Sequence, residues 1–230
     1  MSKHIVITGH TKGIGKAITT QLLKNGFIVT GIARSCLPET KNLIQIKADL
    51  TSEFTIKNLA EKLKNTPVDV LILNAGFNNI KPAEAYATKE ILDIFNVNLV
   101  SHAVLLRACL PKLIHNKGWV FGIGSFSGIE IARWNNYYGA AKAAMHHLLK
   151  NIFEQYRKQG LKVTNIIPDI IHSEFYAQQD YEPNTGEPDT FLLPEDISNL
   201  IVDYIIKWPN FVPLELLVRP QRFCLNRKKL

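Results

Sequence analysis

The chain has 230 residues, 46% of them hydrophobic, with 27 lysines and arginines against 20 aspartates and glutamates and a net charge of +7. That is the size of one large α/β domain, with enough apolar material to bury a substantial core. No run approaches the ~18 consecutive apolar residues of a membrane span. Cys36, Cys109 and Cys224 are too widely spaced for a disulfide framework or a CxxC metal site, so the expectation is a cytoplasmic protein with inert thiols, no bound metal and no membrane association.

His4 to Thr8 form a short apolar run that leads straight into Gly9-His10-Thr11-Lys12-Gly13-Ile14-Gly15. A helical spacing follows (Ile14, Ala17, Ile18, Leu22) and stops at Asn25-Gly26. A strand, a tight glycine turn and a helix in that order suit a dinucleotide phosphate. Glycines let the backbone approach the pyrophosphate, while the helix N-terminus offers unpaired N–H groups and a partial positive charge. The spacing is Gly-x-x-x-Gly-x-Gly and differs from the common Gly-x-Gly-x-x-Gly fingerprint.

Further strands are predicted at Phe27 to Ala33, Leu43 to Lys47, Val68 to Leu73, Trp119 to Gly124, Leu161 to Ile167 and Leu214 to Val218, with helical patterns between most of them. This alternation predicts a doubly wound α/β fold, a parallel sheet of about seven strands covered by helices on both faces. Ligands then bind at the carboxyl ends of the strands. No linker, low-complexity run or repeat divides the chain, so residues 1–230 read as one domain. The helix around Glu90 to His115 carries Asn96 and Asn98 inside it, which lowers its propensity there.

Next comes Trp134-Asn135-Asn136-Tyr137-Tyr138-Gly139-Ala140-Ala141-Lys142. Tyr138 stands four residues before Lys142 on a predicted helix, so the two side chains lie about 40° apart around it and share a face. A free phenol titrates near pH 10 and is a poor catalyst at neutrality. At roughly 5 Å and an effective dielectric of about 20, an ammonium supplies about 3 kcal/mol toward phenolate, which predicts a lowered Tyr138 pKa. Tyr137 is five residues from Lys142 and points elsewhere.

Taken in order, these features resemble the short-chain dehydrogenase/reductase family, of the short single-domain type, over nearly the whole chain. Thr8 to Gly15 is similar to the family's Thr-Gly-x-x-x-Gly-x-Gly turn, Asp49-Leu50 to its adenine-side pair, and Asn74-Ala75-Gly76 to the Asn-Ala-Gly after its fourth strand. Asn98 falls where the family carries an asparagine that kinks its helix and holds a water. Ser125 lies thirteen residues before Tyr138, the family's usual distance, and Pro168 to Ser173 follow the sixth predicted strand where the nicotinamide loop belongs.

The resemblance implies a Rossmann-like fold and a hydride transfer between NADP(H) or NAD(H) and a carbonyl or secondary alcohol of a small substrate. It implies Ser125, Tyr138, Lys142 and Asn98 as catalytic residues, with Ser127 open as the serine because it faces the same way on an extended strand. Cofactor binding is expected at Gly9, Thr11, Lys12, Gly13, Ile14, Gly15, Arg34, Asp49, Leu50, Asn74, Ala75 and Gly76. Tyr138, Lys142, Pro168, Ile171 and Ser173 complete that set. NAD-preferring members place an acid where this chain has Ala33, and Arg34 and Lys12 suit a 2′-phosphate, so NADP(H) is expected over NAD(H). A homodimer or homotetramer is implied as well.

One departure is Pro168-Asp169 where the family usually has Pro-Gly; aspartate tolerates left-handed backbone angles, which would let the turn survive. The substrate-binding segment is expected at 173–193. It carries Glu174, Asp180, Glu182, Glu187 and Asp189 with no lysine or arginine, a field that disfavours anionic substrates. Phe175, Tyr176, Tyr181 and Phe191 either line a pocket or pin the loop. His146-His147 read as an ordinary helix face. The basic tail of Arg222, Arg227, Lys228 and Lys229 reads as solvated, without nucleic-acid binding. An alternative function is a nucleotide-binding regulator of the same fold that has lost turnover.

Overall fold

Alternation of side chains along the central strands decides how the sheet is covered. In the computed structural model, residues 2–131, 135–177 and 179–228 are described; Trp134, Lys229 and Leu230 fall outside. On β1 (His4–Thr8), Ile5 and Ile7 join one apolar cluster while Val6, between them, joins another. β4 (Val70–Leu73) divides the same way, with Val70 and Ile72 on one face and Leu71 and Leu73 on the other.

The first face packs against α1 (Gly13–Lys24) through Ile18 and Leu22 and against α6 (Pro194–Lys207) through Ile197, Ile201 and Ile205. The second packs against α2 (Glu53–Lys64), α4 (Ser101–His115) and α5 (Asn136–Tyr156), using Leu59, Leu63, Leu105, Cys109, Met145 and Leu149. Each such side chain contributes about 1.5–3 kcal/mol on burial, so the central strands must be apolar on both faces.

With β2 (Ile28–Ala33), β3 (Leu43–Lys47), β5 (Trp119–Ile123), β6 (Lys162–Pro168) and β8 (Glu215–Val218), the main sheet has seven strands in the order β3-β2-β1-β4-β5-β6-β8. Every pairing is parallel, and β1 meets β4 with Ile5 opposite Val70. The predicted doubly wound Rossmann-like sheet is therefore present. The chain reverses its winding between β1 and β4. Connections from those two strands leave to opposite sides and open a crevice at their carboxyl ends.

The predicted helix around Glu90 to His115 is α3 (Thr88–Phe95), a π-helical turn over Asn96–Val100, and α4, in one continuous run. The two asparagines fall in the π turn, where the regular ladder is already broken. Thr88–His115 is 28 residues long with a mean hydropathy of 1.4 over its most apolar 18-residue window, enough by length and composition to cross a membrane. Half of that window is buried, and Leu105, Leu106, Cys109 and Leu113 belong to the second face's core.

One element has no counterpart in the sequence reading. β7 (Tyr181–Pro183) pairs antiparallel with β9 (Leu225–Arg227), Tyr181 opposite Arg227. Three-residue strands rich in polar residues and proline carry no period to detect. The consequence is that the C-terminal tail lies over the segment 173–193.

Candidate active site

The glycine turn forms because two backbones must nearly touch. Gly9 and Gly13 take positive φ values of 71° and 48°, and a Cβ on Gly15 would stand 2.0 Å from the Gly9 carbonyl oxygen. Asn74, at the end of β4, ties the turn down: its Nδ2 donates to the carbonyls of Thr8 and Gly9 at 2.9 and 3.1 Å. The Thr8 hydroxyl in turn accepts from the amides of Asn74 and Ala75, each at 3.0 Å. The first turn of α1 has neither an acidic residue nor a side-chain cap of its own. Instead, Glu174 reaches across from the substrate segment, its Oε2 accepting from the Gly13 amide at 3.0 Å.

Thr11 accepts from the Ser35 hydroxyl at 3.0 Å, joining the turn after β1 to the end of β2. Lys12 and Arg34 are exposed and have no ion-pair partner among the described residues. Ile14, in the first turn of α1, packs against the core and Leu50 is buried, while Asp49 holds its own turn by accepting from Thr51. Ile171 is buried and bridges Leu192, and Ser173 lies against Gly13, 3.3 Å from where a Cβ there would stand.

Tyr138 and Lys142 share a face of α5 and both are buried. Gly139 presses the helix onto the serine loop, since a Cβ there would come within 2.7 Å of the Ser127 carbonyl oxygen. The Lys142 ammonium donates to the Ile123 carbonyl at 2.8 Å and lies 5.6 Å from the Tyr138 ring centroid. Burial pushes the Tyr138 phenol up to about 12, with the Ser125 hydroxyl, as a hydrogen-bond partner, pulling it the other way. Burial likewise pushes Lys142 down to about 8.

The expected lowering of the phenol pKa is therefore not what this structure has. The ammonium is committed to a backbone carbonyl and approaches the ring, and desolvation outweighs it. The phenol is held in its proton-carrying form.

The two candidate serines are separated by their partners. Ser125 Oγ accepts from the Ser127 amide at 3.2 Å and is the serine that acts on Tyr138. Ser127 Oγ accepts from Asn135 Nδ2 at 3.2 Å. Asn98 is fully buried. Its Nδ2 donates to the carbonyls of Phe77 and Ile94, both at 2.9 Å, and its Oδ1 accepts from no group in the described protein. A Cβ on Gly76 would stand 2.9 Å from that oxygen and 3.5 Å from Lys142 Nζ, so both atoms border one small space.

His146 departs from the helix-face expectation. It is buried, burial pushes it down to about 4, and its Nε2 accepts from the Ser125 amide at 3.3 Å. Nε2 must be unprotonated to do so, which places the ring proton on Nδ1. The lone signal in the sequence is its position eight residues after Tyr138, about two turns along the same face. His102, one turn after Asn98, is also buried and is pushed down to about 3 by burial.

Asp169 lies outside the left-handed region, since Lys117 is the one non-glycine residue with positive φ among those described. No glycine-like backbone is needed there. The basic tail is not simply solvated either. Arg222 pairs with Asp189 and Glu187, each at 2.6 Å, and Lys228 Nζ donates to the carbonyls of Tyr176 and Ala177. The acidic field expected over 173–193 is thus partly neutralised by cations that follow β8. Phe175 leans on Tyr138 with ring centroids 6.0 Å apart, and burial raises the Tyr176 phenol above its ordinary value.

The description "short chain dehydrogenase" belongs to the family model that matches residues 3–183. An uncharacterized oxidoreductase of Staphylococcus saprophyticus is 28% identical over 236 residues, covering 95% of this chain and 97% of the relative. Among solved structures, 4-hydroxyisoleucine dehydrogenase complexed with NADH superposes with a TM-score of 0.85 at 25% identity, covering 95% of this chain and 98% of that one. The alcohol dehydrogenase of Thermococcus sibiricus complexed with 5-hydroxy-NADP shares the fold, with a TM-score of 0.84 at 20% identity over all of both chains. On its matched length and its sheet, this chain belongs to the short-chain dehydrogenase family and is an oxidoreductase.

Proposed function

We propose that the protein is an NADP(H)-dependent oxidoreductase acting between a carbonyl and a secondary alcohol of a small substrate. The observation that carries this reading is the buried Tyr138 phenol, acted on by Ser125 and flanked by Lys142 at the crevice that the glycine turn borders. A dinucleotide fits the residues present: the Gly15 cradle is one a Cβ would fill, and the first turn of α1 carries no acid of its own. Gly9 and Thr11 to Gly15 would hold the pyrophosphate, Asp49 and Leu50 the adenine side, Asn74 to Gly76 the middle, and Lys142, Pro168, Ile171 and Ser173 the nicotinamide half. When bound, the nicotinamide supplies or accepts a hydride at the substrate carbon.

In the reductive direction, Ser125 Oγ donates a hydrogen bond to the substrate oxygen, and Tyr138 Oη delivers a proton to it as negative charge develops. The phenol's raised pKa keeps that proton available at neutral pH. Asn98 Oδ1 and Lys142 Nζ border the space beside Gly76, where a water would return a proton toward Tyr138. His146 stays neutral and holds the Ser125 backbone. Following NADPH absorbance against a panel of ketones, aldehydes and quinones tests the reading. The absence of turnover with every member, despite tight NADPH binding, would leave the regulator as the better description.

Two predictions arise here. Lys12 and Arg34 are free to meet a 2′-phosphate and position 33 holds no acid, so NADPH is expected to bind at least about tenfold more tightly than NADH, or about 1.4 kcal/mol. Ala33→Asp with Arg34→Ala should move the preference toward NADH; an initial preference for NADH in fluorescence titrations would refute the assignment. The second concerns the serines. Ser125→Ala should lower kcat by about a hundredfold, as for loss of one transition-state hydrogen bond, with cofactor affinity nearly unchanged. Ser127→Ala, which loses its contact with Asn135, should cost far less, and the reverse ranking would exchange their roles.

A further inference from the structure

The charged pair at the end of β6 and β8 has no part in the chemistry above. Asp169 follows β6 directly, and its side chain is only 8% exposed although it carries a carboxylate. Arg219 follows β8 directly, and its Nε donates to Asp169 Oδ2 at 2.9 Å. The backbones are joined at the same place, where Pro168 registers with Val218 and the Asp169 amide donates to the Val218 carbonyl at 3.0 Å. The other face of the guanidinium covers Phe126, its central carbon 4.1 Å from the ring centroid. Phe126 is the residue after Ser125.

We infer that Asp169 and Arg219 are a positioning pair, in which the arginine clamps the β6 exit loop to the loop that carries Ser125. One planar side chain bonds the carboxylate through its edge and covers an aromatic ring with its face, which a lysine cannot do. The pair also anchors the C-terminal tail. Beyond Arg219 the chain pairs Arg222 with Glu187 and Asp189, adds β9 to β7, and fixes Lys228 on the carbonyls of Tyr176 and Ala177. The substrate segment is therefore held at both ends by residues that follow β8. Asp169 is then a built feature, useful because Arg219 is present.

This inference rests on the reading of Ser125 and Tyr138 as the reaction centre, so its test has a part that needs no turnover. Wild type, Arg219→Gln, Arg219→Lys, Asp169→Gly and Asp169→Gly/Arg219→Gln are compared by kcat, KM, melting temperature and amide hydrogen exchange. Arg219→Gln is expected to lower kcat about tenfold with KM changed less than threefold, and Arg219→Lys to recover part of the loss. In the Asp169→Gly background, Arg219→Gln should cost less than threefold, because no buried carboxylate is left unpaired.

Amide exchange should quicken at residues 124–130 as well as at 168–173 in Arg219→Gln, whether or not a substrate is known. An equal loss of kcat in both backgrounds overturns the pairing. Exchange that quickens only in the tail overturns the link to the serine loop. Lack of turnover in wild type, with faster exchange at 124–130 in Arg219→Gln, would count against the assigned reaction and leave the clamp standing.

Discussion

Tyr138→Phe is expected to abolish carbonyl reduction, lowering kcat by about a thousandfold or more, while the fold and NADPH binding persist. The substitution removes one oxygen and keeps the ring that packs beside Phe175 and Ala141. Tyr137→Phe is the control. That ring stacks edge-on against Tyr86 at 4.9 Å and its hydroxyl reaches the Ala83 carbonyl at 3.4 Å, away from Lys142, so activity should stay within a few-fold of wild type. Single-turnover measurements with the best substrate separate the two. Near-normal turnover in Tyr138→Phe would end the proposed mechanism.

Lys142→Met extends the same argument to pH. In alcohol oxidation the phenol must accept a proton, so activity rises with pH through its pKa. A neighbouring cation favours phenolate and holds that pKa down; removing it raises the pKa and moves the acidic limb to higher pH. Burial already holds the phenol up to about 12, so the limb spans the accessible range in the wild type and the substitution should appear as lower oxidation activity at each pH within it. A limb that stays in place would mean Lys142 serves only to bind.

The second large effect is expected at Gly15. A Cβ at that position would lie 2.0 Å from the Gly9 carbonyl oxygen, 2.9 Å from its carbon and 2.5 Å from Asn74 Nδ2. Two of those atoms are backbone, so no rotamer change relieves the clash. Overpacking of this kind costs about 1–3 kcal/mol or more, which lowers the melting temperature by several degrees for a chain of this size, at roughly 2–4 °C per kcal/mol. It also moves the Asn74 hydrogen bonds that shape the cradle, so NADPH affinity should fall at least about a hundredfold, near 2.8 kcal/mol. Gly186→Ala, whose Cβ would meet only Asn184 Oδ1 at 3.4 Å, should leave both unchanged. Calorimetry and cofactor titration of the pair decide the matter.

Much of the fold was legible in the residues because each strand of the main sheet is a bounded apolar run. β1 and β3 coincide with their predicted bounds, and the other five lie within a residue or two of theirs. The glycine turn, the Tyr138–Lys142 spacing and the ordered Asn74, Asn98 and Ser125 were likewise local signals. Each depends on a backbone conformation or a helical repeat that a few neighbouring residues determine.

Only tertiary structure could decide what depends on residues far apart in the chain. Ser125 and Ser127 differ in their partners, Tyr138 for one and Asn135 for the other, and the burial of His146 depends on the fit of α5 against β5. The direction of the Tyr138 pKa also lay outside the sequence. Spacing supplies the ammonium, whereas desolvation depends on everything that packs around the phenol. The pairing of Asp169 with Arg219, fifty residues later, shows the same limit. In the sequence the carboxylate is a departure from the family's usual glycine with no partner in view, and the fold brings the matching cation to it.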